Sequence, residues 1–193
     1  MTQQWHSISD ILAGAAAPHW AVGLAIWVRD TIGRPLPALG RQGALCPFVP
    51  QALTLSSLFA CDGMACDELE GLVAAVERAT LRFTSDFPLQ GEADRLKGLM
   101  VAFPNLQRER GRLLREVRTV VKPSLIAAGL TCGEFYEDNN DRSVRNSELR
   151  IAGSPVPCVI IRRLQSHDKI FLQSQPELYQ IFLRSMNSSI NDG

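Results

Sequence analysis

Apolar residues recur at helical spacing in three stretches of the chain and cluster without that spacing in a fourth, shorter one. Trp20, Leu24, Trp27 and Val28 fall on one helical face, in a segment that Pro18 opens and that runs to about Asp30. Ahead of it, Ser9-Asp10 is placed to cap a first short helix. A second apolar face, Leu69, Leu72, Val73 and Val76, predicts a helix over 67–83 with Asp67 as its cap. The third, with Leu106, Leu113, Leu114, Val117, Val120 and Val121, predicts a long helix over 106–128. Pro123 should kink or end that helix near Val121, and Gly129 suits its C-cap. Arg108, Arg110, Arg112, Arg115 and Arg118 occupy the remaining arc, which predicts a solvated face with Glu109 and Glu116 as partners.

The continuous run Leu96 to Phe103, apolar but for Lys97 and Gly98, has the length of a strand buried on both faces and belongs at the centre of a sheet. Thr54 to Cys61 reads as another strand, closed by the turn pair Asp62-Gly63. Two more strands are expected near Thr131–Tyr136 and Val156–Leu164, on either side of the polar loop Glu137-Asp138-Asn139-Asn140-Asp141. A last helical region begins near Ser166 and continues past Pro176 to Met186. Between helix and strand, 33–50 holds Pro35, Pro37, Pro47 and Pro50 and is expected to be rigid and irregular. The order α-β-α-β-α-β-β-α predicts an α+β (or α/β) single domain, a mixed sheet of about four strands covered by helices. Right-handed crossovers would set its first two strands parallel. The expected divisions are an N-terminal helical extension packed on the domain over 1–32, a main domain over 33–188 and a flexible tail over 189–193.

Composition excludes more than it identifies. At 193 residues, with 46% apolar and 21% charged residues, the chain is long enough to bury roughly 70% of its unfolded surface. It needs neither disulfides nor a structural metal to fold. Net charge is zero, so nothing pulls it toward nucleic acid or an anionic membrane. The longest apolar run, Ala21 to Val28, is far below the roughly 20 residues of a bilayer span, and Met1 to Asp10 has no basic signal region. The chain reads as cytoplasmic. Cys46, Cys61, Cys66, Cys132 and Cys158 show no framework spacing and are expected as free thiols. No paired His or Cys spacing supports zinc or di-iron. Lys97, Lys122 and Lys169 are the only lysines.

Two punctuated blocks point to a site. One is Gly40-Arg41-Gln42-Gly43-Ala44-Leu45-Cys46-Pro47-Phe48-Val49-Pro50. The other starts at Gly129, passes Gly133-Glu134-Phe135-Tyr136 and Arg145-Asn146, and ends in Ser154-Pro155-Val156-Pro157 and Ile160-Ile161-Arg162-Arg163. Core packing has no use for such strings, whereas rigid turns that present a thiol and guanidinium groups do. Cys46, before a proline, holds its sulfur on a turn, as an axial haem ligand, a nucleophile or an inert packed thiol would. Adjacent strand residues point to opposite faces, so at most one of Arg162 and Arg163 can face a pocket. Glu134 and Tyr136 share a face and, near one arginine, would make the polar end of an apolar cavity.

Taken in order, these motifs resemble a bacterial domain family of unknown function, often found near natural-product biosynthesis genes, over about residues 38–182. In layout the chain is also similar, more distantly, to small haem-dependent N-oxygenases of amino acids. That second resemblance implies haem as cofactor and a haem-dependent oxygenase acting on a small amino-acid-like substrate. Under it Cys46 ligates the iron, with His167 as the substitute ligand. Arg41 and one of Arg162 or Arg163 hold a propionate or substrate carboxylate, Glu134 and Tyr136 are the catalytic pair, and Asn146 and Ser154 contact substrate. The alternatives are a non-catalytic small-ligand-binding or accessory protein, and a thiol enzyme using Cys46. A small-molecule partner is expected in each case, with no nucleic acid or membrane, and a homodimer remains compatible.

Overall fold

A computed structural model describes residues 4–40, 42–64, 67–87, 93–143 and 146–191. At its centre lies a five-stranded sheet in the order β1-β2-β3-β5-β4, comprising β1 (His6–Ser7), β2 (Leu58–Asp62), β3 (Gly98–Ala102), β4 (Leu130–Phe135) and β5 (Cys158–Arg163). β2 and β3 are parallel and every other pairing is antiparallel. The fold is therefore a mixed α+β domain. All five residues of β3 are buried, as a run apolar on both faces requires of a central strand.

Helices cover both faces of the sheet. On one, α4 (Leu69–Asp86) and α5 (Leu113–Ala127) lay Leu72, Val76, Phe83, Leu114, Val117 and Val121 over Leu99, Val101, Val159 and Ile161. On the other, α1 (Ile8–Leu12), α2 (His19–Trp27) and α3 (Val49–Thr54) cover Ala60, Met100, Ala102 and Cys158 with Ile8, Leu24, Trp27 and Val49. A smaller cluster, Ile126, Leu164, Leu172 and Phe182, joins α5 to α6 (Lys169–Leu172) and α7 (Pro176–Asn191).

The differences from the sequence reading have local causes. β1 is a fifth strand, too short to carry an alternating pattern, and it pairs with the edge of β2. The α1 cap is Ser7, whose hydroxyl accepts the Asp10 N–H at 3.3 Å. The strand placed at Thr54 starts only at Leu58, because Val49–Thr54 is helical with Pro50 in the first turn, where its missing N–H costs nothing. Asp67 does not cap α4. That place falls to Glu68, while the Asp67 carboxylate pairs with Arg110.

The long third helix is shorter than its pattern. Gly111 sits against Tyr136, whose ring a Cβ there would meet at 2.9 Å, and α5 begins only at Leu113. Pro123 does not end it. The helix continues to Ala127 because Leu125 and Ile126 are buried beyond the proline, and their burial outweighs one lost backbone bond. Val120 is 53% exposed rather than inward, while the neighbouring Lys122 is buried. The arginine face pairs with distant acids instead of local ones: Arg108 with Asp138 at 2.6 Å, Arg115 with Asp141 at 2.5 Å, Arg118 with Glu134 at 3.2 Å. Gly129 follows the helix with φ of +73°, as a C-terminal glycine should.

Candidate functional site

β4 is the outermost strand on its side of the sheet, and this decides where a cavity can form. Its side chains alternate. Cys132 packs toward α5 and Glu134 pairs with its Arg118, while Phe135 points toward the layer of α2 and α3. Nothing in the sheet lies beyond this edge, so both faces of the strand open onto one cavity of about 420 Å³. Ile32, Cys46, Phe48, Val49, Leu58 and Ile160 form its apolar wall. Arg118, Lys122, Glu134, Arg162 and Asp168 form its polar end. Pocket volumes of this size suit small organic ligands.

Cys46 belongs to this wall and is half-buried. Its turn is fixed by backbone bonds, with its N–H donating to Ile32 O at 3.0 Å and its carbonyl accepting from Val49 at 3.2 Å. The other described cysteines, Cys61, Cys132 and Cys158, are buried, and burial pushes each thiol up to about 12. They are held as neutral thiols. Cys66 and Arg41 lie outside the described residues.

The Glu134 side chain is 1% exposed. Its Oε2 lies 3.2 Å from Arg118 Nε and its Oε1 3.6 Å from Arg115 Nε, yet Oε1 has no hydrogen-bond partner. Burial raises the carboxyl above its usual range, with Arg118 opposing. An incompletely satisfied carboxylate this deep is costly unless a proton or a ligand supplies the missing bond. Tyr136 shares the face of Glu134 but misses the cavity, packing in the core against Gly111.

Arg162 is the arginine of its pair that lines the cavity. Asp168, buried behind it, clamps its guanidinium at 2.6 and 2.9 Å, and Phe48 lies under it at 5.9 Å. The same Asp168 carboxylate accepts the Gln165 N–H at 2.8 Å, so one acid positions both the arginine and the turn after β5. Arg163 lies outside the lining. Neither Asn146 nor Ser154 contacts the cavity. The Asn146 amide donates to Ala38 O at 2.8 Å and ties two loops together. Ser154 is buried and donates to Val156 O at 2.8 Å within its own turn. His167 stacks on Phe48 with ring centres 5.1 Å apart and is likewise not on the wall.

Three groups of the polar end escaped the sequence reading: Arg118, Lys122 and Asp168. Arg118 and Lys122 are four residues apart, flanking the apolar stripe of α5 on one side, and that spacing was the available signal. The described lining has six basic side chains (Arg95, Lys97, Arg118, Lys122, Arg142, Arg162) and three acidic ones (Glu134, Asp141, Asp168), which favours an anionic guest. Among the described residues no three His, Cys, Asp or Glu side chains converge as a multi-ligand metal centre needs. No described helix is long and apolar enough to cross a membrane.

An α+β domain with a basic-ended cavity at its sheet edge is the class these features define. The model of the domain of unknown function DUF6875 matches residues 22–193, and the chain belongs to that family. No curated protein and no solved structure matches the chain.

Proposed function

We propose that the protein binds a small, amino-acid-like carboxylate in the cavity at the β4 edge, as an enzyme or accessory protein of small-molecule metabolism. The observation that carries this reading is the imbalance of the wall: six basic side chains against three acidic ones around an otherwise apolar space. Among those bases Lys122 is 8% exposed, and among the described residues it has no hydrogen-bond or ion-pair partner. Buried cations are retained when something pairs with them. A ligand carboxylate at the polar end, with its side chain along Phe48, Val49 and Ile160, supplies that partner.

Thermal melting against small 2-amino, 2-hydroxy and 2-oxo acids and their amides tests the reading. At a hundredfold excess over Kd a matching acid should raise the midpoint by about 5–10 °C, from roughly 2.7 kcal/mol of linkage. The corresponding amide should do little. Equal shifts by acids and amides, or no shift by any, would overturn it.

A second reading, a haem-dependent oxygenase, is favoured by the position of Cys46, the half-buried cysteine lining the same cavity as Arg162 and Glu134. A single axial thiolate is all that the protein must give to such iron, and bound haem would supply oxygen activation. Cys46 would hold the iron and Arg162 a propionate. Haem is bulky for this cavity, so the reading requires its walls to part. A Soret band after reconstitution, lost in Cys46→Ser, is the result that would support it. A protein that stays colourless with excess haem would remove it.

A further inference from the structure

Reversible binding of a carboxylate leaves one property of the cavity unused, the free lone pair that Lys122 gains once it loses its proton. Of its other bases, Arg118 pairs with Glu134 at 3.2 Å, Arg162 with Asp168 at 2.6 Å and Lys97 with Asp94 at 2.6 Å, and Arg142 donates to Glu148 O at 2.8 Å. Lys122 stands one helical turn beyond Arg118, buried on the cavity wall, without a partner among the described residues. For such a group the ammonium is the costly form and the neutral amine the cheaper one. The charged and titratable groups that act on it are Arg118 on its own helix, Cys132 and Glu134 on β4, and Asp168 in the turn after β5. Burial and Arg118 hold its pKa below the ordinary lysine value, against the weaker pull of the other three.

We propose that Lys122 is the covalent attachment point for a carbonyl compound, a 2-oxo acid, which it holds as an imine. This rests on the reading that the cavity takes a small carboxylate, and it adds the ligand's second functional group. In the addition step the amine lone pair forms the N–C bond while the C=O π pair moves to oxygen, and a proton passes from nitrogen to that oxygen. In the second step the carbinolamine hydroxyl is protonated and leaves as water. The nitrogen lone pair closes C=N, and the remaining N–H proton returns to the donor. One water is released per imine, and no oxidant or reductant takes part. Glu134 is the acid at hand, with a buried Oε1 that lacks any hydrogen-bond partner and so is free to carry the proton. Desolvated lysines beside a second cation are known to act as amine nucleophiles in this way. Arg118 and Arg162 are left to meet the carboxylate.

Lys97, Lys122 and Lys169 are the only lysines, so each can be followed separately. The full-length protein is treated at pH 7 with glyoxylate and sodium cyanoborohydride, and carboxymethylated lysines are mapped by peptide mass spectrometry. Lys122 should label at least about tenfold faster than Lys169, which is exposed on α6. Labelling in order of exposure, Lys169 first and Lys122 last, would overturn the proposal. Lys122→Arg keeps the charge and should lose the fast adduct. Glu134→Gln should slow labelling of Lys122 alone. Should either variant fail to fold, wild type with saturating benzoate gives the same answer, because Lys122 must be protected while Lys169, which lies off the cavity, keeps its rate. An unreactive Lys122 in a protein that carboxylates still stabilise ends the imine while leaving the binding reading intact. If carboxylates also fail to shift the melt, both fall.

Discussion

Lys122 and Glu134 are each held at the edge of what their protonation chemistry tolerates, and opposite pH slopes follow. The lysine is depressed by burial, so in the folded chain it loses its proton before the unfolded chain does. Its contribution to stability therefore rises with pH, from its lowered value up to the ordinary lysine value near 10.4. Lys122→Met should stabilise the ligand-free protein by about 1–3 kcal/mol near neutrality, and this advantage should shrink as pH approaches that value. Urea titrations of both proteins at pH 7 and pH 10 decide it, and a destabilised methionine variant would mean the ammonium is well solvated. Glu134 runs the other way. Its raised carboxyl keeps a proton that the unfolded chain has released, so its contribution is lost as pH climbs from the usual carboxylate value through the raised one. The stability of wild type relative to Glu134→Gln should accordingly fall across that window. Neither residue type announces this in sequence: the Glu-Phe-Tyr string marked Glu134, but only packing shows that Tyr136 faces the core and that Lys122 faces inward.

At the level of elements, close approach explains what hydrophobic period does not. The parallel pair β2–β3 ends where the Gly63 N–H donates to Ala102 O at 2.7 Å, and a Cβ on Gly63 would lie 2.3 Å from the fully buried Phe103 ring. At the other end of the pair, a Cβ on Gly98 would meet the tip of Leu58, a flexible side chain, at 3.0 Å. Gly63→Ala should thus cost about 2–3 kcal/mol and Gly98→Ala under about 1 kcal/mol, since overpacking is expensive where the neighbour cannot move. Similar losses in denaturant midpoints would show that the ring yields. The contrast also measures what was legible. The apolar run that became β3 and the stripe Leu114, Val117, Val121 of α5 were readable because burial on one or both faces imposes a period. The start of α5, the passage of the helix through Pro123 and the short β1 were not. Each of these is decided by partners far along the chain, Tyr136, the α6–α7 layer and β2 respectively. The cavity was half legible for the same reason: Cys46, Glu134 and Arg162 sit in marked motifs, whereas Lys122 and Asp168 acquire meaning only once α5 and the post-β5 turn close on the sheet edge.

Across the whole molecule, residues 6–9 act on the cavity without lining it. β1 covers the open edge of β2, Ile8 is fully buried against the sheet, and the Ser9 hydroxyl donates to Leu53 O at 2.7 Å. Leu53 belongs to α3, the helix that sets Val49 and Ala52 in the cavity wall. The chain therefore holds this wall from behind, through a segment that precedes the family's matched span of 22–193. Removing residues 1–12 leaves every lining side chain in place but uncovers an apolar face and an unpaired strand edge. Ile8→Ala alone should cost about 2–4 kcal/mol, as large-to-small changes at buried aliphatic sites do. Ser9→Ala should cost about 1 kcal/mol, and because it loosens α3 it should also weaken carboxylate binding. The truncated chain should then show both effects together, a lower urea midpoint and a smaller ligand-induced rise in melting temperature than full-length protein. A truncation that lowers the midpoint yet binds carboxylate with undiminished affinity would separate the N-terminal segment from the site. Because the Ser9–Leu53 bond is the link between them, Ser9→Ala is the variant in which binding and stability must move in step.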